Sequence, residues 1–141
     1  MDNKNETLII NLRKLYEQYG YKKISLPTFE EYDLYSEYRD FIKSEKILTL
    51  MTPEGKLEAL RPDITLSVAK KVAKDKNIKS EKIYYVENIY RFSKMNGYKE
   101  KRQLGIELIG TETEFLNYEI TNLALKSLQE INQNYILAFS H

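Results

Sequence analysis

Cysteine and tryptophan are missing from this sequence, and its one histidine is the last residue, His141. Without cysteine there is no disulfide, no thiolate nucleophile and no Cys-ligated zinc. A lone terminal histidine leaves no His cluster for a metal and no Ser-His-Asp triad. No metal site and no cofactor is expected. An excess of either charge is missing as well: 22 Lys and Arg against 21 Asp and Glu give a net charge of +1. Attraction by the whole chain is therefore not how it would hold nucleic acid or an anionic membrane, although a local basic patch stays open. No apolar run approaches the length of a membrane span, and the first residues, Met1 to Glu6, lack the apolar stretch of a signal peptide. What is present is a length of 141 residues with 42% hydrophobic content, enough for one core and one domain over residues 1–141. These bounds predict a soluble cytoplasmic domain of mixed secondary structure.

Leu8, Ile9, Leu12, Leu15, Tyr16 and Tyr19 recur at helical spacing and Gly20 stops them, predicting a helix over Glu6 to Tyr19. Ile24 to Leu26 reads as extended, since Pro27 biases its predecessor away from helix. Thr28 is placed to cap a second helix over Phe29 to Tyr38, on which Tyr32, Tyr35 and Tyr38 are packing or interface residues rather than nucleobase stackers. Two short strands follow, Lys46 to Met51 and Lys56 to Leu60, joined by a turn at Thr52-Pro53-Glu54-Gly55. Pro62-Asp63 opens a third helix carrying Ile64, Val68, Ala69 and Val72, and Lys70 to Lys79 reads as its solvated face and exit loop. A long strand over Lys82 to Phe92 turns at Asn96-Gly97 and returns over Glu100 to Gly110. Thr111 to Glu114 matches a capping box for a last helix through Leu128. Tyr135 to Phe139 is expected to be a strand, on which the sequence ends without a cap. Strands joined by hairpins with helices between them predict an α+β domain around an antiparallel sheet, incomplete at its C-terminus.

Chemistry concentrates in three segments. On the return strand, alternation puts Leu104, Ile106 and Leu108 on one face and Gln103, Gly105 and Glu107 on the other. An amide and a carboxylate beside a glycine suit a floor on which a small ligand lies close to the backbone, Glu107 accepting from an ammonium group. An ordinary solvated sheet face has the same pattern. Arg91, at the end of the preceding strand, could grip a phosphate or carboxylate through its planar fork, or simply pair with Glu87 or Glu107. Lys94, Lys99, Lys101 and Arg102 surround the Asn96-Gly97 turn. In Leu60-Arg61-Pro62-Asp63-Ile64-Thr65, Asp63 and Thr65 sit where a strand enters a helix, as caps or as groups turned towards the same ligand.

In order along the chain, Leu26-Pro27-Thr28-Phe29-Glu30, Leu60 to Thr65, Tyr90-Arg91 and Gln103 to Gly110 resemble the catalytic core of class II histidyl-tRNA synthetases. They resemble still more the synthetase-like regulatory subunits of ATP phosphoribosyltransferase, which serve the first step of histidine biosynthesis. The resemblance covers almost the whole chain. It implies a class II synthetase-like α+β fold, a six-stranded antiparallel sheet flanked by helices, with Pro27 to Glu30 in the dimer-forming first motif. It implies that Arg91 holds an α-phosphate or a carboxylate. Gln103 and Glu107 would hold a histidine ligand, Glu107, Asp63 and Thr65 facing its amino group.

The departures favour the regulatory relatives. Synthetases usually carry Arg-Pro-Glu-Gly-Thr where this chain has Arg61-Pro62-Asp63-Ile64-Thr65. They place an acid after the motif-two arginine, for adenine, where this chain has Phe92-Ser93, and their arginines in the turn are lysines here. Their histidine-specific arginine segment and third motif would lie beyond His141. The resemblance therefore implies a regulatory subunit without catalysis, serving feedback control by histidine; the alternative is a fragment of a divergent histidyl-tRNA synthetase that activates histidine with ATP. Its partner would be the short-form ATP phosphoribosyltransferase catalytic subunit, joined by a homodimer within a hetero-oligomer, with histidine as the ligand and no tRNA or membrane partner.

Overall fold

A computed structural model describes residues 3–38, 42, 46–73, 80–110, 113–132 and 134–138. Along the chain run α1 (Asn3–Gln18), β1 (Lys22–Lys23), β2 (Phe29–Glu31), α2 (Asp33–Glu37), β3 (Leu48–Met51), β4 (Leu57–Leu60), α3 (Thr65–Ala73), β5 (Ser80–Ser93), β6 (Gly97–Gly110) and α4 (Glu114–Ile131). The fold is α+β. Among the described residues six strands form two sheets of three, β1-β5-β6 and β2-β4-β3, rather than one sheet of six. The chain divides into two compact units: Met1–Lys23 with Ile78–Tyr84 and Ile106–His141, and Ile24–Asn77 with Tyr85–Gly105.

In the first unit α1 packs on α4. Helix α1 ends as its sequence predicts. Gly20 takes a positive φ of 82°, its N–H bonds to the Glu17 carbonyl at 3.0 Å, and the Tyr21 N–H reaches back to the Tyr16 carbonyl at 3.0 Å, the paired bonds of a Schellman end. The core joins Leu12, Tyr16, Tyr21, Ile83, Tyr84 and Leu123, all buried. Tyr16 and Tyr84 meet as tilted rings 5.8 Å apart, and the Tyr84 hydroxyl donates to Glu17 at 2.5 Å. Strand β1 pairs with β5 in parallel, Lys22 opposite Ile83 and Lys23 opposite Tyr84. This is an exception to the antiparallel expectation and escaped the sequence reading because two lysines carry no strand signal. Helix α4 is capped by Thr113, whose hydroxyl accepts the Leu116 N–H at 3.2 Å; Thr111 and Glu112 of the expected capping box lie outside the described residues. The strand expected over Tyr135 to Phe139 is not formed in its described part: residues 135–138 pair with no strand among the described residues and Ile136 is exposed. Phe139 itself lies outside the described residues, as do Lys74 to Lys79 of the lysine-rich exit loop.

Buried phenols of this unit impose a pH dependence. Burial first, and the Glu119 carboxylate second, push the Tyr21 hydroxyl up from 10.0 to about 12. Burial also raises Tyr16 and Tyr84. Above pH 10 the unfolded chain loses these protons before the folded one does, so stability falls as pH rises from about 10 to about 12. Chemical denaturation at stepped pH should show that fall, and a Tyr21→Phe chain should show a shallower one; equal slopes would contradict the assignment.

In the second unit β2, β4 and β3 form an antiparallel sheet with Phe29 opposite Leu60 and Leu60 opposite Leu48. The β3–β4 turn places Gly55 at a φ of 81°, and the Gly55 N–H bonds to the Thr52 carbonyl at 2.9 Å, the three-residue hairpin geometry that needs glycine at its last position. The helix expected over Phe29 to Tyr38 is corrected. Its first three residues are strand β2, and only Asp33–Glu37 is helical. Pairing with β4 wins over local helical preference here, since it satisfies backbone groups that the short β4 would otherwise leave open. Glu30 is thereby turned into the core, where its carboxylate takes hydrogen bonds from the Tyr35 hydroxyl and, at 2.7 Å, from Ser67 of α3. Tyr35 is fully buried, as a packing residue should be, whereas Tyr38 is exposed.

Candidate functional site

The Leu60–Thr65 turn is built by three residues. Pro62, past the end of β4, has no N–H to continue a ladder. Asp63 accepts the Leu66 N–H on Oδ1 at 3.2 Å and so caps the first turn of α3. Its other oxygen, Oδ2, lies 3.4 Å from the Arg91 guanidinium. Arg91 also donates from Nε to the Pro62 carbonyl at 2.7 Å. The structure therefore brings Arg91 and Asp63 together, a contact the sequence did not suggest, while Glu87 pairs elsewhere. Arg91 reaches across from β5 to the turn because both belong to the same unit, a proximity that strand parity alone does not reveal.

Glu87 is taken by a residue that sequence reasoning quoted only as part of a motif. Arg61 is buried, with 1% of its side chain exposed, and its guanidinium lies 3.0 Å from the Glu87 carboxylate. The same head donates to the carbonyls of Leu26 at 3.0 Å, Pro27 at 2.7 Å and Asn88 at 2.8 Å. A fully buried charge needs both a counter-charge and a complete set of acceptors, and Arg61 has them. The available signal was the position of Arg61 between β4 and a proline, where a solvent-exposed strand end would have been the default reading.

Thr65 is the first residue of α3, and Gln103 lies on β6 of the same unit, half-buried. The Gln103 carboxamide oxygen is buried with no hydrogen-bond partner among the described residues. Glu107 is half-buried on β6 and belongs to the first unit. The expected alternation of burial on this strand is absent: Gln103 through Ile109 are all half-buried. Gly105 is not open to a ligand either. A Cβ built there would lie 2.6 Å from Cζ of Tyr85 and would meet the phenol oxygen closer still. The glycine thus makes room for a buried tyrosine of the same unit.

Beside Arg91 opens a cleft of about 670 Å³ whose charged lining is Lys46, Arg91, Lys94, Lys99, Lys101 and Glu100. Its single carboxylate is occupied, Glu100 accepting from Asn88 Nδ2 at 2.5 Å and from the Tyr90 hydroxyl at 3.0 Å; this acceptor, more than burial, raises the Tyr90 hydroxyl above its ordinary value. Five cations around one engaged acid make a positive field that draws anions. Phe92 packs its ring at 5.2 Å from Tyr98 near the mouth of the hairpin. Among the described residues no three acidic or histidine side chains gather as metal ligands, and no helix is long and apolar enough to cross a membrane.

The histidyl-tRNA synthetase family profile matches residues 2–141. A histidine–tRNA ligase of Methanococcus maripaludis is 34% identical over 98% of this chain and 34% of its own length. An ATP phosphoribosyltransferase regulatory subunit of Ruminiclostridium cellulolyticum is 29% identical over 85% of this chain and 30% of its own. Among solved structures, an ATP phosphoribosyltransferase regulatory subunit/histidyl-tRNA synthetase of Bacillus halodurans superposes with a TM-score of 0.77 at 28% identity, over 90% of this chain and 34% of that one. The chain spans about a third of the length of these relatives. With a class II synthetase-like α+β fold and a profile match over nearly its whole length, the chain belongs to the histidyl-tRNA synthetase family.

Proposed function

We propose that this chain is part of a non-catalytic regulatory subunit of ATP phosphoribosyltransferase, supporting the first step of histidine biosynthesis and its feedback control by histidine. The observation that carries this reading is Phe92-Ser93 after Arg91. Where a synthetase places an acid for adenine, the cleft offers a ring and a hydroxyl, and its one carboxylate is engaged by Asn88 and Tyr90. Relatives named as regulatory subunits support the same reading. In it, residues 1–141 belong to one synthetase-like domain of a cytoplasmic homodimer, bound to the short-form catalytic subunit in a hetero-oligomer, with no call on tRNA. Arg91 holds the carboxylate of histidine, Asp63, Thr65 and Glu107 receive its amino group, and Gln103 supports it. Histidine then acts by binding one state of the assembly better than the other.

The test is phosphoribosyl-ATP formation by the short-form catalytic subunit with and without the full-length protein. Stimulation suppressed by added histidine is expected, and Glu107→Ala with Gln103→Ala should remove the histidine sensitivity while leaving stimulation in place. No stimulation, with the two proteins apart on a sizing column, would overturn the reading. A second reading, histidine activation by a divergent synthetase, is favoured by the higher identity to the Methanococcus ligase; histidine-dependent exchange of pyrophosphate into ATP would establish it.

A further inference from the structure

We infer that Arg61 is a positioning residue for Arg91: it never faces a ligand, yet it sets where the Arg91 guanidinium stands. The inference rests on the proposed role of Arg91 as the group that grips an anion. Two arginines stitch one turn to one strand from opposite ends. Arg61 leaves the turn and binds β5 at Glu87 and at the Asn88 carbonyl, with Nε at 3.2 Å and a terminal nitrogen at 2.8 Å. Arg91 leaves β5 and binds the turn at Pro62 and Asp63. Between them the Tyr90 N–H donates to the Arg61 carbonyl at 2.9 Å, so the backbone before Arg91 is tied to the backbone before Pro62.

The two clamps differ in accessibility. Arg91 has 42% of its side chain exposed, and Arg61 has 1%. The exposed head meets the anion, while the buried one holds the acceptors against which the exposed head is aligned. Arg61 also grips the carbonyls of Leu26 and Pro27, and the Leu26 N–H points at Glu87 at 3.4 Å, so the segment entering β2 is held by the same ion pair. Lysine at position 61 keeps the charge but has one ammonium where three nitrogens now reach two chain segments, 26–27 and 87–88, so it cannot hold them together.

The readout is the Arg91 Nε–H signal in the nitrogen–proton spectrum of the full-length protein, assigned by its disappearance in Arg91→Lys. In the native protein this proton is bonded to the Pro62 carbonyl at 2.7 Å, and slow exchange is the expected result. Arg61→Lys should speed its exchange by about tenfold or more, the ratio corresponding to one charge-assisted hydrogen bond lost from the clamp, and Glu87→Gln should act in the same direction. Ile42→Ala, which empties part of the same unit's core beside Tyr35, Ala59 and Leu66, should lower the melting temperature and leave the signal alone. Unchanged exchange in both Arg61→Lys and Glu87→Gln, or an equal change in Ile42→Ala, would overturn the inference. If Arg61→Lys does not fold, Glu87→Gln decides alone. Titration with L-histidine separates the two readings: native protein that binds none defeats the histidine pocket, while the exchange measurement still decides what Arg61 does.

Discussion

Arg61→Met is expected to lower stability by about 3–5 kcal/mol, the usual cost of breaking a buried ion pair from one side. Methionine fills much of the volume of the arginine stem, so lost packing is the smaller part. The larger part is what stays behind: the Glu87 carboxylate, with 17% of its side chain exposed, and the carbonyls of Leu26, Pro27 and Asn88, which accept from the guanidinium. A buried acceptor without a donor costs its full desolvation penalty. Against a total stability of about 5–15 kcal/mol for a native domain, the variant should be largely unfolded at moderate urea. Adding Glu87→Leu should recover part of the loss, because the stranded charge disappears with it, while the three carbonyls stay unpaired. A loss below about 1 kcal/mol in urea titration would mean that water takes the place of the guanidinium.

Gly105→Ala is expected to cost about 1–3 kcal/mol through overpacking. Gly105 has no positive φ, so its backbone accepts alanine without strain and only space is at issue. The added methyl would stand 2.6 Å from Tyr85 Cζ and 3.0 Å from Cε2, well inside ordinary contact. Tyr85 is buried and cannot swing into solvent without taking part of β5 along. Tyr85→Leu removes the obstructing phenol, so the double variant should be more stable than the sum of the single effects predicts. Strict additivity in a double-mutant cycle would show that the ring is not what excludes a side chain at 105.

Local features were legible because their causes are local. The end of α1 needs only Gly20 and the apolar spacing before it, the β3–β4 turn needs only Pro53 and Gly55, and the reversal after β5 needs Asn96-Gly97. The basic surroundings of that reversal were equally plain. What failed had its cause elsewhere in the chain. Phe29–Glu31 carries helical signals and becomes β2 because β4, some thirty residues on, offers it an edge. Residues 135–138 carry strand signals and stay unpaired among the described residues.

The candidate site divides in the same way. Asp63 at a helix entrance and Arg91 at a strand end could each be named from sequence order, as could the lysines around their cleft. Their mutual contact, the burial of Arg61 with Glu87, and the tyrosine over Gly105 could not. The sequence by itself determined most of the elements, the family resemblance and the residue types that can bind an anion, because helical periodicity, turn glycines and motif order are properties of short segments. Only the tertiary structure decided which charges meet and which are buried, because residues 61 and 87 or 85 and 105 become neighbours only when strands far apart in the chain are brought side by side.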